Sequence, residues 1–256
     1  MAERKGSAGV VEIGKIETTT RGYAILGKRP IILSRLSEKA KRELLAPVGK
    51  KNAAQKQSSL KHDPFDEFRA SPYLLQEESY PTYLAVMSSA FKGTMATAAL
   101  DLPGSNKTQI GRLVWVEDTY TPLYGIPLLS MAAVRAANIQ RTPDIRTRVI
   151  VNEWACQIVV TFVESLIKEQ AIVNLLVAGG LTVGVGDWRP EKGKGTYGQF
   201  EVVTPTNAKY CDIVAKGGRA AQKAAMNTPV CADEETEELL FWWQSEVKRR
   251  GFKVDN

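Results

Sequence analysis

The chain has 256 residues, 44% of them apolar and 24% charged, with a net charge of +6. That is the mix of a globular protein able to bury one large core or two small ones. No apolar run approaches the ~20 residues that span a bilayer, and the start MAERKGSAGVVEIG lacks an apolar signal core, so the expected compartment is cytosolic.

Residues 10 to 33 alternate apolar with polar side chains, which predicts two strands or one long strand bent near Gly22. Ser37 then caps a helix over SEKAKRELLA, with Leu36, Ala40 and Leu44 at helical spacing and Pro47 ending it. Residues 48 to 62 hold Lys50, Lys51, Lys56 and Lys61 without one acidic residue, and their low apolar content reads as a mobile basic loop. The segment after it, DPFDEFRASPYLLQEES, is mainly acidic. Two readings of the loop stay open: a solvated segment neutralised by its neighbour, or one that contacts phosphates.

Tyr83 to Val86 reads as a short strand, followed by the helix SSAFKGTMATAALDL, in which Phe91, Met95 and Ala98 share a core-facing stripe. After the polar segment GSNKTQIGR come two strands, LVWVED and PLYGIPLLS. In PDIRTRVIVNEWACQIVVTFVE, Ile145, Thr147, Val149 and Val151 share one parity, whereas Trp154, Cys156, Ile158, Val160 and Phe162 follow the other. That switch near Asn152 and Glu153 predicts a bulge or a turn between two strands. Arg146 and Arg148, two apart, project from one strand face.

Ser165 precedes a helix in which Ile172, Leu175, Leu176 and Gly179 keep helical spacing; a glycine-rich stretch and a last strand, YGQFEVV, follow. This order predicts a compact α+β sheet domain over residues 1–204, its elements running from about 10 to 204. Residues 205–256 form a helical C-terminal extension, with one helix near GRAAQKAAMN and another from Asp233 to Arg250. The latter opens DEETEE and closes KRRG, matching the helix dipole, and Gly251 suits its C-cap. Leu239, Leu240, Trp243 and Val247 line one stripe, with Phe241 and Trp242 beside it. Such a surface docks on its own domain or on a neighbour, and Phe241, Trp242 and Trp243 are the expected partner contacts.

The stretch AGGLTVGVGDWRPEKGKGTYGQF, residues 178–200, holds seven of the chain's twenty glycines, so its backbone must approach something closely. Gly193 to Gly198 fits G-x-G-x-x-G, but a dinucleotide site needs a strand before it and a helix after it, and QFEVV is strand-like. No P-loop sequence is present either. What remains is a tight packing device or a loop laid against a nucleic-acid backbone. Trp188, Arg189, Lys192 and Lys194 interleave an aromatic with cations, as a sugar-phosphate strand requires.

Three scattered cysteines, Cys156, Cys211 and Cys231, argue against a disulfide framework or a zinc site, and His62 is the one histidine. No G-x-S-x-G nucleophile motif is present. The remaining enzyme reading is a metal-dependent nuclease built on Asp63, Asp66 and Glu67, carboxylates that equally suit a solvated helix start.

The helix followed by AGGLTVGVGDWRPEKGKGTYGQFEVV resembles the carboxy-terminal glycine-rich loop of the RAMP superfamily, which includes backbone subunits of CRISPR effector complexes. SSAFKGTMATAA resembles the segment where a small-residue turn and a lysine lead into a helix. RPIILSRLSEKAK completes a layout also similar to an uncharacterised phage-encoded family. The resemblance implies a ferredoxin-like, RRM-type antiparallel sheet that holds single-stranded RNA, with copies stacked head to tail along it. It places Lys92 and the loop from Gly184 to Gly198 near the strand, and makes residues 48–62 the insertion that reaches a neighbour or the strand. The tail has no counterpart in that pattern, and no histidine is placed for RNA cleavage. The expectation is a non-catalytic protein without metal or cofactor that binds single-stranded nucleic acid, foremost RNA, in several copies. The rival is a phage-encoded interaction protein that mimics a CRISPR backbone subunit and inhibits or redirects the effector complex.

Overall fold

The computed structural model describes residues 15–36, 62–135, 143–192 and 195–251, together with Lys41 and Leu45, which are helical. The rest of the helix expected from Ser37, and nearly all of the basic segment 48–62, lie outside the described residues.

Ten strands and seven helices are described. The strands are β1 (Thr18–Gly27), β2 (Ile31–Leu33), β3 (Tyr73–Leu74), β4 (Leu84–Met87), β5 (Val114–Val116), β6 (Tyr120–Tyr124), β7 (Pro127–Arg135), β8 (Pro143–Val151), β9 (Ala155–Val163) and β10 (Phe200–Val203). The helices are α1 (Pro64–Ala70), α2 (Ser88–Ala98), α3 (Lys107–Leu113), α4 (Glu169–Thr182), α5 (Ala208–Lys216), α6 (Arg219–Asn227) and α7 (Glu234–Arg250).

The main sheet runs β10-β1-β9-β6-β4-β3, every pairing antiparallel, with β5 also on β9. Within it, β1, α2, β5/β6, β9, α4 and β10 follow as strand, helix, strand, strand, helix, strand. Their spatial order is fourth, first, third, second, which is the ferredoxin-like arrangement. Helices α2 and α4 pack on one face and against each other. Phe91, Met95, Ile172, Leu175 and Leu176 there meet Ile25, Cys156, Ile158, Val160 and Phe162 in one core. Each large side chain so buried contributes about 1.5–3 kcal/mol. On the opposite face, Tyr210 and Ile213 of α5 cover Ala24, Leu26 and Ala155.

A small sheet, β2-β8-β7, is the same trio of strands after a bend, since β1, β9 and β6 are mutual neighbours in the same order. From the last pair of one sheet to the first of the other, Leu26 to Ile31 takes five steps, Val151 to Ala155 four, and Tyr124 to Pro127 three. The path therefore shortens steadily across the corner. The parity switch at Asn152 and Glu153 is the middle strand turning this corner. At its inner side Gly125 has φ +132, and a Cβ there would stand 2.4 Å from the Glu153 carbonyl.

Both edges of the small sheet are covered. Asp187 N–H donates to Ile32 O on the β2 side at 3.0 Å. On the β7 side, Leu129 N–H donates to Val230 O and Ala232 N–H to Leu129 O, both at 2.8 Å. Capped edges remove templates for aberrant strand pairing.

Helices α3 and α5 both begin at an Asn cap: Asn106 accepts from Thr108 and Gln109 N–H, Asn207 from Tyr210 N–H. The C-terminal helices are tied into the sheets. Gln222 of α6 is fully buried; its Oε1 accepts from Tyr83 and Leu84 N–H at 2.7 and 2.9 Å. Its Nε2 donates to the carbonyls of Leu123 and Gly125 at 2.7 and 3.0 Å, so one amide splices β4 to β6 where their ladder ends. Gln222→Met keeps the volume and strands those backbone groups, at an expected cost of about 2–4 kcal/mol in urea unfolding with unchanged slope. A cost below about 1 kcal/mol, or a separate transition for the tail, would show that the splice does not bind the tail to the sheet.

Candidate nucleic-acid interface

After α4 the chain enters a glycine-rich hairpin, described over 184–192 and 195–198, whose described glycines serve the protein's own packing. Val185 N–H donates to Gly198 O at 3.0 Å, and Gly198 N–H to Pro30 O at 2.7 Å. Gly198 has φ +68, and a Cβ there would lie 1.6 Å from Val185 O; at Gly195 it would lie 1.5 Å from Trp188 O. The close approach demanded by the glycines is thus limb against limb. The fold's corner holds the hairpin from below.

Its outer surface gathers several of the candidate residues. Arg148 of β8 pairs with Asp187 and sets its guanidinium 5.3 Å from the Trp188 ring centre. Burial pushes the Arg148 guanidinium down from its ordinary range, and the Asp187 carboxylate opposes that shift. Trp188 itself adopts φ +51, and its ring stands 6.1 Å from that of Tyr197. Arg189 donates to Glu191 through Nε at 2.9 Å and to Gly186 O through Nη1 at 2.9 Å. Arg146, on the same face of β8 as Arg148, is 3.7 Å from Asp144. Lys192 is exposed, and no ion pair of it occurs among the described residues.

The structure therefore brings Arg146, Arg148, Trp188, Arg189 and Lys192 to one rim, with a carboxylate beside each arginine. Lys92 is elsewhere: its ammonium lies 5.9 Å from the Trp115 ring at the open edge of β5. Lys194, Lys50 and Lys51 lie outside the described residues. On α7, Phe241 and Trp242 are 72% and 63% exposed. Trp243 corrects the expected partner set, because the 3.6-residue period turns it inward. It is buried, its ring 6.0 Å from Phe65 and its Nε1 donating to His62 O at 3.1 Å.

Tyr197 belongs to the rim and was not singled out by sequence, although it sits in the glycine stretch two residues from Gly195. A second aromatic group, with the Tyr73 and Tyr120 rings 5.3 Å apart and the Arg35 guanidinium 5.6 Å from Tyr73, was also missed. It joins β3 to β6, and only the sheet topology reveals it. Asp63 is the N-cap of α1, accepting from Phe65 and Asp66 N–H at 3.0 and 3.1 Å. Glu67 accepts from Thr147 N–H at 3.4 Å and meets His62 at 2.6 Å. Among the described residues no three His, Cys, Asp or Glu side chains are grouped to hold a metal ion, and no helix is long and apolar enough to cross a membrane.

No family model and no curated protein matches the chain. Among solved structures, it is similar to a chain of the type III-B Cmr-beta complex bound to cognate target RNA, at 13% identity and a TM-score of 0.38. That match covers 73% of this chain and 59% of the other, less than two thirds of its length. It is also similar to Cmr6 from Pyrococcus furiosus, at 8% identity and a TM-score of 0.36, over 74% of this chain and all of that one. The ferredoxin-like frame stands on the strand order itself.

Two glycine substitutions separate packing from open space. Gly198→Ala is expected to cost about 2–4 kcal/mol, since it combines a left-handed φ with a backbone collision. Gly93→Ala, inside α2 with nothing within 4 Å of the new methyl, is expected to stabilise by about 0.5–1 kcal/mol. Urea unfolding of both variants checks the pair; a neutral Gly198→Ala would mean that the hairpin is not packed on itself.

Proposed function

We propose that the protein is a non-catalytic binder of single-stranded nucleic acid whose strand crosses the hairpin rim, and that several copies assemble along one strand. The observation that carries this reading is the Arg148 guanidinium stacked on Trp188 beside Tyr197, on a hairpin anchored to the corner of the sheets. Half-buried aromatics on a rigid mount give bases a stacking surface at little ordering cost. Arg146 and Lys192, at the same rim, are placed for phosphates. Because carboxylates already answer Arg146, Arg148 and Arg189, stacking carries more of the affinity than charge.

The carboxylates of the nuclease reading have structural employment: Asp63 caps a helix, and Glu67 ties α1 to β8 through Thr147 N–H. RNA is the first ligand to try, as the type III-B structure above is one bound to cognate target RNA.

Fluorescence anisotropy with labelled single-stranded RNA and DNA, on protein freed of nucleic acid, tests the proposal. Trp188→Ala and Tyr197→Ala are each expected to weaken binding about tenfold, within the range for losing one stacked base. The slope of log K against log salt is expected near about −2, from two to three phosphate contacts. Bound protein per strand should rise with strand length, and labelled RNA should stay intact with magnesium present. Absence of binding to both nucleic acids, or binding that neither aromatic substitution changes, overturns the rim as the site.

A further inference from the structure

Helix α7 carries two faces. Leu239, Leu240, Trp243 and Val247 turn inward, Thr236 Oγ1 accepts from Met131 N–H at 3.1 Å, and the helix packs along β7. Among the described residues, the outward face is unpartnered. It bears Phe241 and Trp242, 72% and 63% exposed, in the middle of a helix whose other outward side chains are charged or polar. Two large adjacent aromatics left in water on a well-formed helix mark an interaction surface.

The charges around them say what fits. Glu234, Glu235, Glu237 and Glu238 fill the first half of the helix, and Lys248, Arg249 and Arg250 the last turn. Glu246 holds Arg249 and Arg250 at 2.8 and 2.6 Å, leaving that end net positive. Glu234, Glu238, Phe241, Ser245 and Lys248 succeed one another at alternating four- and three-residue steps, a continuous seam on one side of a helix. Together with Glu235, Trp242 and Arg249 on its flank, that face is self-complementary when reversed about a point between Phe241 and Trp242. Glu234 then meets Arg249, Glu235 meets Lys248, Glu238 meets Ser245, and Phe241 meets Trp242. A parallel arrangement would set acid against acid.

We infer that α7 is the docking surface for a second copy of this chain, the two helices antiparallel about a two-fold axis through the Phe241–Trp242 pair. Such an isologous contact closes on itself, so it forms dimers and does not propagate. The helix of 17 residues is about 25 Å long, and a single helix pair of that length falls in the small-interface class. A dimer with a dissociation constant in the micromolar range is therefore expected. The inference needs no nucleic acid and is independent of the hairpin rim.

Sedimentation velocity on the full chain, freed of nucleic acid and run over a hundredfold range of concentration, is the test. The wild type is expected to pass from monomer to a dimer plateau. Trp242→Ser and Phe241→Ser, both at exposed positions that leave the core intact, are expected to weaken the dimer at least tenfold. The double substitution Glu234→Lys with Glu235→Lys should abolish it, and adding Lys248→Glu with Arg249→Glu to the same chain should restore it. Restoration separates matched charges from general stickiness or a damaged fold. A chain monomeric throughout, a dimer indifferent to these substitutions, growth past the dimer without a plateau, or capture only of a different protein overturns the inference. Strand binding by Trp242→Ser, measured in parallel, reports on the rim alone.

Discussion

The fold turns on one buried tryptophan at the corner between the sheets. Trp154 is wholly enclosed, its Nε1 donates to Arg29 O at 2.8 Å, and its carbonyl accepts from Gly27 N–H at 2.8 Å. The β1-to-β2 bend and the β8-to-β9 bend are thereby tied to each other. Gly27 is the fitted counterpart, since a Cβ there would stand 2.3 Å from Trp154 Nε1. Phe200, 6.4 Å from the same indole, begins the strand that leaves the glycine hairpin. A bend in three strands would ordinarily leave backbone groups open to water. Here the indole and the hairpin satisfy several of them, which ties the hairpin to the corner.

That origin decides what kind of binding surface the hairpin can be. Its described glycines are consumed by internal contacts, so what they leave outward is the side chains of the outer limb. Along the sequence, the positive surplus falls outside the hairpin. Residues 37–61 hold seven basic and two acidic side chains, a balance of +5 out of the chain's +6. At the rim Asp144, Asp187 and Glu191 stand beside Arg146, Arg148 and Arg189. These carboxylates hold the guanidiniums in place, Arg148 above Trp188 in particular. A phosphate arriving at the rim gains less from arginines that already have partners than from free ones.

Much of this was legible from spacing. Alternation in β1, β8 and β9, the helical stripes of α2, α4 and α7, and the left-handed cap at Gly251 (φ +72) follow from periodicity and local chemistry. So did the two parities flanking Asn152 and Glu153, although parity alone cannot say whether a turn joins partners in one sheet or carries a strand into another. Helix α3 buries only Ile110 and is held by its Asn106 cap, which leaves no period, whereas α5 carries Tyr210, Ile213 and Val214 at helical spacing in a stripe only nine residues long. At the site, strand parity put Arg146 and Arg148 on one face, but their carboxylate partners come from other segments or from beside them, and no spacing rule pairs them. Helical phase set Trp243 on the stripe of Leu239, Leu240 and Val247, apart from Phe241 and Trp242, but phase alone does not say whether that stripe is covered by the chain itself or by a partner.

The hairpin rim and the outer face of α7 occupy opposite edges of the small sheet. The hairpin covers β2, and residues 230–232 with α7 cover β7, so β8 lies between them. Edge protection, required of any exposed strand, was met on one side by a glycine-rich turn and on the other by a terminal helix. Each cover has an outer face that the sheet does not need: Trp188 and Tyr197 on one, Phe241 and Trp242 on the other. The same constraint that stabilises the small sheet thus leaves two outer faces, one at each edge, free of the sheet's own packing.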